Sequence, residues 1–411
     1  MALIKPFRAL RPGRDLTSAI AALPYDVFSR EEAYEAVKND KYSFLRIDRP
    51  ETQFPEDQDM YADAVYQKAA DMLREMRETG EFVLDDTPCF YVYELTMDGR
   101  PQTGLVACSS VDEYINGTIR KHENTRKEKE EDRIRHVDAC SAQTGPIFLA
   151  YRGQKEIDDI IEQVKSGDPD SDFTGPGAVR HRTWTISDTS VTEQLIRCFK
   201  SIPNTYIADG HHRAASAVSV SLKRRKENPG FTGEEEFNFF LSVLFPADQL
   251  KIMDYNRVLK TLNGMDENEL LEKISQKFEI EYTSSEEIHP ERKGHMAMFL
   301  NDKWYSLRCR KAFVSDDPVD GLDVAYLQRE ILAPVFGIED PTTDKNIDFV
   351  GGIRGLKELE RRCHTDCKAA FAMYPTDILE LFSVADAGRL MPPKSTWFEP
   401  KLLSGLFIHL I

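Results

Sequence analysis

The sequence predicts a mixed α/β (α+β) protein, and three observations carry that prediction. Apolar runs of strand length recur at 147–151, 206–208 and 239–245. Between them lie segments with apolar residues at helical spacing, the clearest at 57–79, where Tyr61, Val65, Ala69, Met72 and Met76 share one face. Chain-breaking pairs such as Gly145-Pro146 punctuate the junctions. Alternation of the two periods argues against an all-helical chain. With 411 residues, 41% of them hydrophobic, there is material for two or three packed subdomains.

Taken in order, 30–38 reads as a helix that Ser29 can cap, following Pro24-Tyr25-Asp26-Val27. Residues 90–96 and 103–109 alternate around Met97-Asp98-Gly99-Arg100, a hairpin signal. Lys121 to Arg126 leads into a charged helix reaching about residue 135. The strand at 206–208 runs directly into Asp209-Gly210-His211-His212-Arg213, and a helix follows through Ala214, Ala215, Ala217 and Val218. Residues 266–310 read as helix, loop and a hairpin around Asn301-Asp302. Short helices are expected at 325–332, 355–362 and 377–387.

Composition excludes several classes. The formal net charge of -17 repels a polyanion, and the basic runs at 222–226 and 121–135 are short or mixed, so no nucleic-acid partner is expected. No apolar run reaches the roughly 18 residues of a membrane span, and no leader pattern follows the basic N-terminus. Seven scattered cysteines suit reduced thiols, so a cytoplasmic location is expected. Cys363-His364-Thr365-Asp366-Cys367 lacks the second cysteine pair that a zinc site of this type needs.

The densest chemistry lies in the Asp209–Arg213 turn. Gly210 permits a tight turn, and the helix N-terminus after it offers free N–H groups and partial positive charge. Arg213 supplies a planar donor fork, with His211 and His212 beside it, so the turn describes an anion cradle. A second cluster is His122-Glu123, with Thr125, Arg126, Asp132, Arg133 and His136 close behind. There Glu123 is suited to act as a general base, and Arg126 and Arg133 to bind further anionic oxygens. A third segment, Pro392-Pro393-Lys394-Ser395-Thr396, places a lysine and two hydroxyls on a proline-fixed loop. P-loop, dinucleotide and nucleophile-elbow patterns do not occur.

At Ile207-Ala208-Asp209-Gly210-His211-His212-Arg213 the chain resembles the free serine kinases of the ParB/sulfiredoxin-like fold group. Lys121-His122-Glu123 is similar to their Pro-His-Glu motif, with Lys121 in place of proline. Pro393-Lys394-Ser395-Thr396 is similar to their C-terminal Pro-Lys-Thr-Thr-like loop. Over nearly its full length the chain also resembles a bacterial family of unassigned function sharing the Pro-Tyr-Asp-Val, His-Glu-x-Thr-Arg and Asp-Gly-His-His-Arg segments. This chain is considerably longer than the kinases and separates Glu123 widely from Asp209.

The resemblance implies a ParB/sulfiredoxin-like catalytic core that phosphorylates free L-serine to O-phosphoserine, with ADP, ATP or pyrophosphate as donor and Mg2+ accompanying it. By the same resemblance Glu123 takes the hydroxyl proton, and Gly210, His211, His212, Arg213 and Arg126 hold the donor phosphate. Asp209 orients the substrate or a magnesium ion. His122, Thr125, Lys394, Ser395 and Thr396 contact the substrate. The expected organisation is a core within 1–260, an accessory unit at 261–345 and a C-terminal segment, 346–411, that returns a substrate loop. Two other functions remain open: a phosphatase acting on the same phosphoester, and a non-catalytic nucleotide-binding regulator.

Overall fold

Alternating strand and helix periods become a mixed α+β architecture in the computed structural model, which describes residues 1–411. The chain forms two units, Met1–Leu250 with Pro400–Ile411, and Lys251–Glu399. No helix is long and apolar enough to cross a membrane.

The first unit is built on a nine-stranded sheet. Its main path runs Ile119–Arg120, Thr205–Asp209, Ile147–Tyr151, Phe239–Pro246, Arg100–Ser110, Phe90–Met97, Arg180–Ile186, Ser171–Thr174, and Ile4–Lys5 adds to Arg100–Ser110. The expected hairpin forms, and Asp98 and Gly99 both take positive φ, the geometry that a two-residue turn between twisted strands requires. Phe239–Pro246 is buried along its whole length, and apolar side chains such as Leu105, Ile147, Leu149, Ile207, Phe240 and Leu244 form one core. Ala214, Ala217 and Val218, on the helix His211–Glu227, pack into that core and hold the start of the helix in place. A smaller sheet pairs Phe82–Leu84, Ala9–Pro12, Ile408–Leu410 and Ala142–Gln143, so the end of the chain is woven into this unit.

Ser29 closes a reciprocal cap on the helix Arg30–Val37, as its position suggested. The helix expected at 57–79 is Asp63–Glu78. Its first residues are diverted into turns, with the Asp59 carboxylate accepting the Tyr61 N–H, so Tyr61 stays on the surface while Val65, Ala69 and Met72 are buried.

Glu113, on the short helix Val111–Ile115, accepts the Leu3 N–H at 2.9 Å. Burial outweighs that hydrogen bond and pushes its pKa up to about 7. The folded state therefore holds a proton that the unfolded chain releases above about pH 4.3. Glu113's own contribution to stability is expected to fall as pH rises from there to about 7. The buried histidines His122 and His211 titrate in the opposite sense. The readout is therefore the difference in thermal unfolding between parent and Glu113→Gln, in which the parent should lose stability relative to the variant from about pH 5 to about pH 8.

In the second unit a six-stranded sheet runs Phe278–Ser284, Lys303–Cys309, His295–Leu300, Ala369–Met373, Tyr255–Leu259, Ile347–Gly351. The hairpin at Asn301-Asp302 is present, with both residues at positive φ. The boundaries expected at 260/261 and 345/346 are corrected here. Tyr255–Leu259 pairs with both Ile347–Gly351 and Ala369–Met373, so cuts at those points would separate strands of one sheet. A two-stranded ribbon, Lys251–Met253 with Trp397–Glu399, lies at the two ends of this unit's sequence. Cys363 and Cys367 flank the junction between the helix Lys357–Thr365 and the strand Ala369–Met373, and all seven cysteines are free thiols.

Candidate functional site

Two neighbouring strands build the site. Ile119–Arg120 runs parallel to Thr205–Asp209, with Thr205 opposite Ile119 and Tyr206 opposite Arg120. Parallel neighbours deliver their following residues to the same sheet end, so His122-Glu123 and Asp209-Gly210-His211 emerge side by side. The helices that follow, Lys127–Cys140 and His211–Glu227, pack against each other. Salt bridges from Lys223 and Arg224 to Asp138 tie them together further along.

Gly210 makes the turn. Its φ of 92° and ψ of 33° lie in the left-handed region, and no side chain caps the helix after it. The first-turn N–H groups are thus not taken by a cap, which leaves them suited to an anion. A Cβ at Gly210 would stand 3.0 Å from Arg213 Nε and 3.1 Å from Cζ. Gly210→Ala is therefore expected to cost about 1–2 kcal/mol in backbone strain alone and to displace the guanidinium. Hydrogen exchange of the helix His211–Glu227 reads this out, and protection unchanged from the parent would refute it.

Asp209 is the charged centre of the turn. Its carboxylate accepts the Gly210 N–H at 3.0 Å and faces Arg213 Nη2 at 3.5 Å and Lys401 Nζ at 3.4 Å. Burial opposes its ionisation, yet the cations of Lys401 and Arg213 outweigh that and hold it well below the usual carboxylate range. Arg213, with its side chain 11% exposed, also donates to the Pro146 carbonyl. Its two Nη groups are engaged by protein oxygens and its buried Nε has no hydrogen-bond partner, so Arg213 anchors Asp209 within the turn. Lys401 carries no motif in the sequence, and only the return of Pro400–Ile411 to this unit reveals it.

Glu123 lies between strand and helix with its side chain 40% exposed, and its Oε2 stands 4.0 Å from His211 Nδ1. His211 and His122 are buried and meet edge to face, ring centroids 4.5 Å apart. Burial pushes His122 down to about 4 and His211 well below its ordinary value, so both rings are neutral near pH 7. His212 accepts the Arg126 backbone N–H on Nε2 at 3.0 Å, which joins the two motifs directly. The Arg126 side chain is exposed, and the Thr125 hydroxyl donates to Glu130 at 2.7 Å.

Other expected residues are placed differently. Arg133, expected as an anion ligand, is buried. It pairs with Asp132 at 2.9 Å, stacks over the Tyr25 ring at 4.0 Å and reaches the Asp48 carbonyl. His136 is buried against the Ile47 carbonyl. Both serve the packing of helix Lys127–Cys140. Lys394, Ser395 and Thr396 belong to the second unit. There Lys394 has φ of 58° and Nζ 5.5 Å from the Tyr255 ring centroid, and the Ser395 hydroxyl donates to the Pro392 carbonyl.

Magnesium takes oxygen ligands in a near-octahedral shell. The Asp209 oxygens are already held by Lys401, Arg213 and the Gly210 N–H, so Asp209 fits a neutralised anchor better than a magnesium ligand. Glu123 offers oxygen, but its neighbours are imidazoles.

The chain shows 13% identity to a free serine kinase mutant in complex with AMP, over 72% of this chain and 87% of that one, with a TM-score of 0.34. SbnI with a C-terminal truncation from Staphylococcus aureus gives 12% identity over 72% and 85%, with a TM-score of 0.38. A conserved hypothetical protein from Pyrococcus furiosus gives 15% over 73% and 94%, with a TM-score of 0.32. No curated protein matches the chain. A family model described as "Protein of unknown function (DUF1015)" matches residues 4–325, most of the chain, including both motifs of the site. The chain belongs to the DUF1015 family.

Proposed function

We propose that this protein is a small-molecule phosphotransferase, a kinase acting on a hydroxyl group, with free L-serine as the substrate that the motif resemblance favours. The observation that carries the reading is the meeting of Glu123 with the uncapped N-terminus of helix His211–Glu227, its Oε2 4.0 Å from the first residue's imidazole. Phosphoryl transfer needs positioning and charge neutralisation more than covalent participation by the protein. The helix N–H groups and the exposed Arg126 side chain would hold the donor's phosphates, and Glu123 would take the hydroxyl proton. Asp209, neutralised by Lys401 and Arg213, fixes the turn. His212 ties the turn to Arg126 through its Nε2. ADP, ATP or pyrophosphate would serve as donor, with a divalent cation on its phosphates. The substrate contacts that the resemblance gives to Lys394, Ser395 and Thr396 concern the second unit and stand outside this reading.

The test is to incubate the purified protein with L-serine, Mg2+ and each donor in turn and follow phosphorus by NMR. O-phosphoserine formed with one donor supports the kinase. Phosphate released from added phosphoserine without an acceptor would replace it by a phosphatase. Tight nucleotide binding without turnover of either would replace it by a regulator.

A further inference from the structure

Two buried imidazoles, His122 and His211, flank Glu123. His211 is 7% exposed, its Nε2 is buried without a hydrogen-bond partner, and its Nδ1 faces Glu123 at 4.0 Å, beyond hydrogen-bond reach. His122, 2% exposed, hydrogen-bonds the backbone of Ile207, the arrangement by which metal-bound imidazoles are commonly oriented through their other nitrogen. An imidazole offers a metal one ring nitrogen while its other nitrogen stays free to hydrogen-bond the protein. One ligand atom from each of His122, Glu123 and His211 lies within 4.8 Å of the other two.

We propose that His122, Glu123 and His211 bind one divalent transition-metal ion, of the class of Mn2+, Fe2+, Co2+ or Zn2+, with coordination positions left for phosphate oxygens. The donor set decides the class, since two imidazole nitrogens and one carboxylate suit these ions, whereas magnesium calls for oxygen. Ligand atoms around one such ion stand about 3–3.5 Å apart, so binding draws this set together by about 1 Å. Glu123 can supply that movement, because it lies on the connection between a short strand and a helix and is 40% exposed. The histidines are held by a strand exit and the first residue of a helix. Three protein ligands leave the ion open on one side, as catalytic metal sites are. One carboxylate against a divalent ion leaves net positive charge beside the helix N-terminus. The inference deepens the proposed function and rests on it for the ion's role, though not for its binding.

The full chain, treated with chelator and dialysed, is titrated with Co2+ alone, followed by visible absorption and calorimetry, with Mg2+ as contrast. One equivalent of Co2+ is expected, with a ligand-field spectrum of mixed nitrogen and oxygen coordination and affinity at least about 10-fold above that for Mg2+. His122→Ala and His211→Ala should each weaken uptake by about 10–100-fold or more. Should either fail to fold, Glu123→Gln, at a partly exposed position, still decides the matter by a similar loss with an unchanged circular dichroism spectrum. No saturable Co2+ uptake by the parent overturns the proposal, and so does uptake that all the folded variants retain. Co2+ bound without phosphoryl transfer from any donor leaves the metal site standing and removes the kinase. Transfer with Mg2+ and no Co2+ uptake removes the metal site alone.

Discussion

The Glu123→Gln variant is expected to transfer phosphate at least about 100-fold more slowly than the parent while still binding the donor. Glutamine keeps the length and hydrogen-bonding shape of the side chain but cannot take a proton, and a 100-fold loss corresponds to about 2.7 kcal/mol of transition-state stabilisation. Because the side chain is 40% exposed, folding stability should change by no more than about 0.5 kcal/mol. Single-turnover rates beside the donor's dissociation constant make the measurement. Unchanged turnover would remove Glu123 as the base. The Co2+ titration separates its two assigned roles. Lost rate with retained metal points to proton transfer, whereas loss of both points to ligation.

Arg213→Ala is expected to destabilise the first unit by about 2–4 kcal/mol, the largest structural effect of any change at the turn. The guanidinium joins Asp209 to the Pro146 carbonyl, so its removal leaves the carboxylate with Lys401 as its remaining side-chain cation and strips a buried carbonyl of its donor. Arg213→Lys should recover only part of the loss, because an ammonium keeps the charge but not the planar fork. Hydrogen exchange of the helix His211–Glu227 is the suitable readout. The chain has two units, and a single unfolding midpoint does not isolate one helix. Protection unchanged from the parent would show that Arg213 does not anchor the turn. Loss of phosphate affinity with full protection would return it to the role of phosphate ligand that the resemblance implied.

Much of the fold was legible locally. The Asp98-Gly99 hairpin, the Ser29 cap and the buried strand Phe239–Pro246 follow from turn chemistry, capping and period, which operate within a few residues. The Asp209–Arg213 turn was legible for the same reason, since a glycine between strand and helix has a local conformational meaning. The burial of Arg133 and His136 was not legible because a charged helix does not announce which of its faces will be buried when the polar residues satisfy one another. The unit boundaries were misplaced because strand pairing across long intervals, such as Tyr255–Leu259 with Ile347–Gly351, has no composition signal.

The sequence by itself determined the α+β class, the strand-to-helix turn at Gly210 and the kinds of side chain available there. Tertiary structure alone decided how they meet. It set Glu123 beside His211 by pairing Ile119–Arg120 in parallel with Thr205–Asp209, and it supplied Lys401 to Asp209 from the end of the chain. It also turned Arg213 inward toward Asp209 and Pro146. The physical reason is that propensity and period act over a few residues. Charge neutralisation and imidazole contacts depend on which distant strands share a sheet edge.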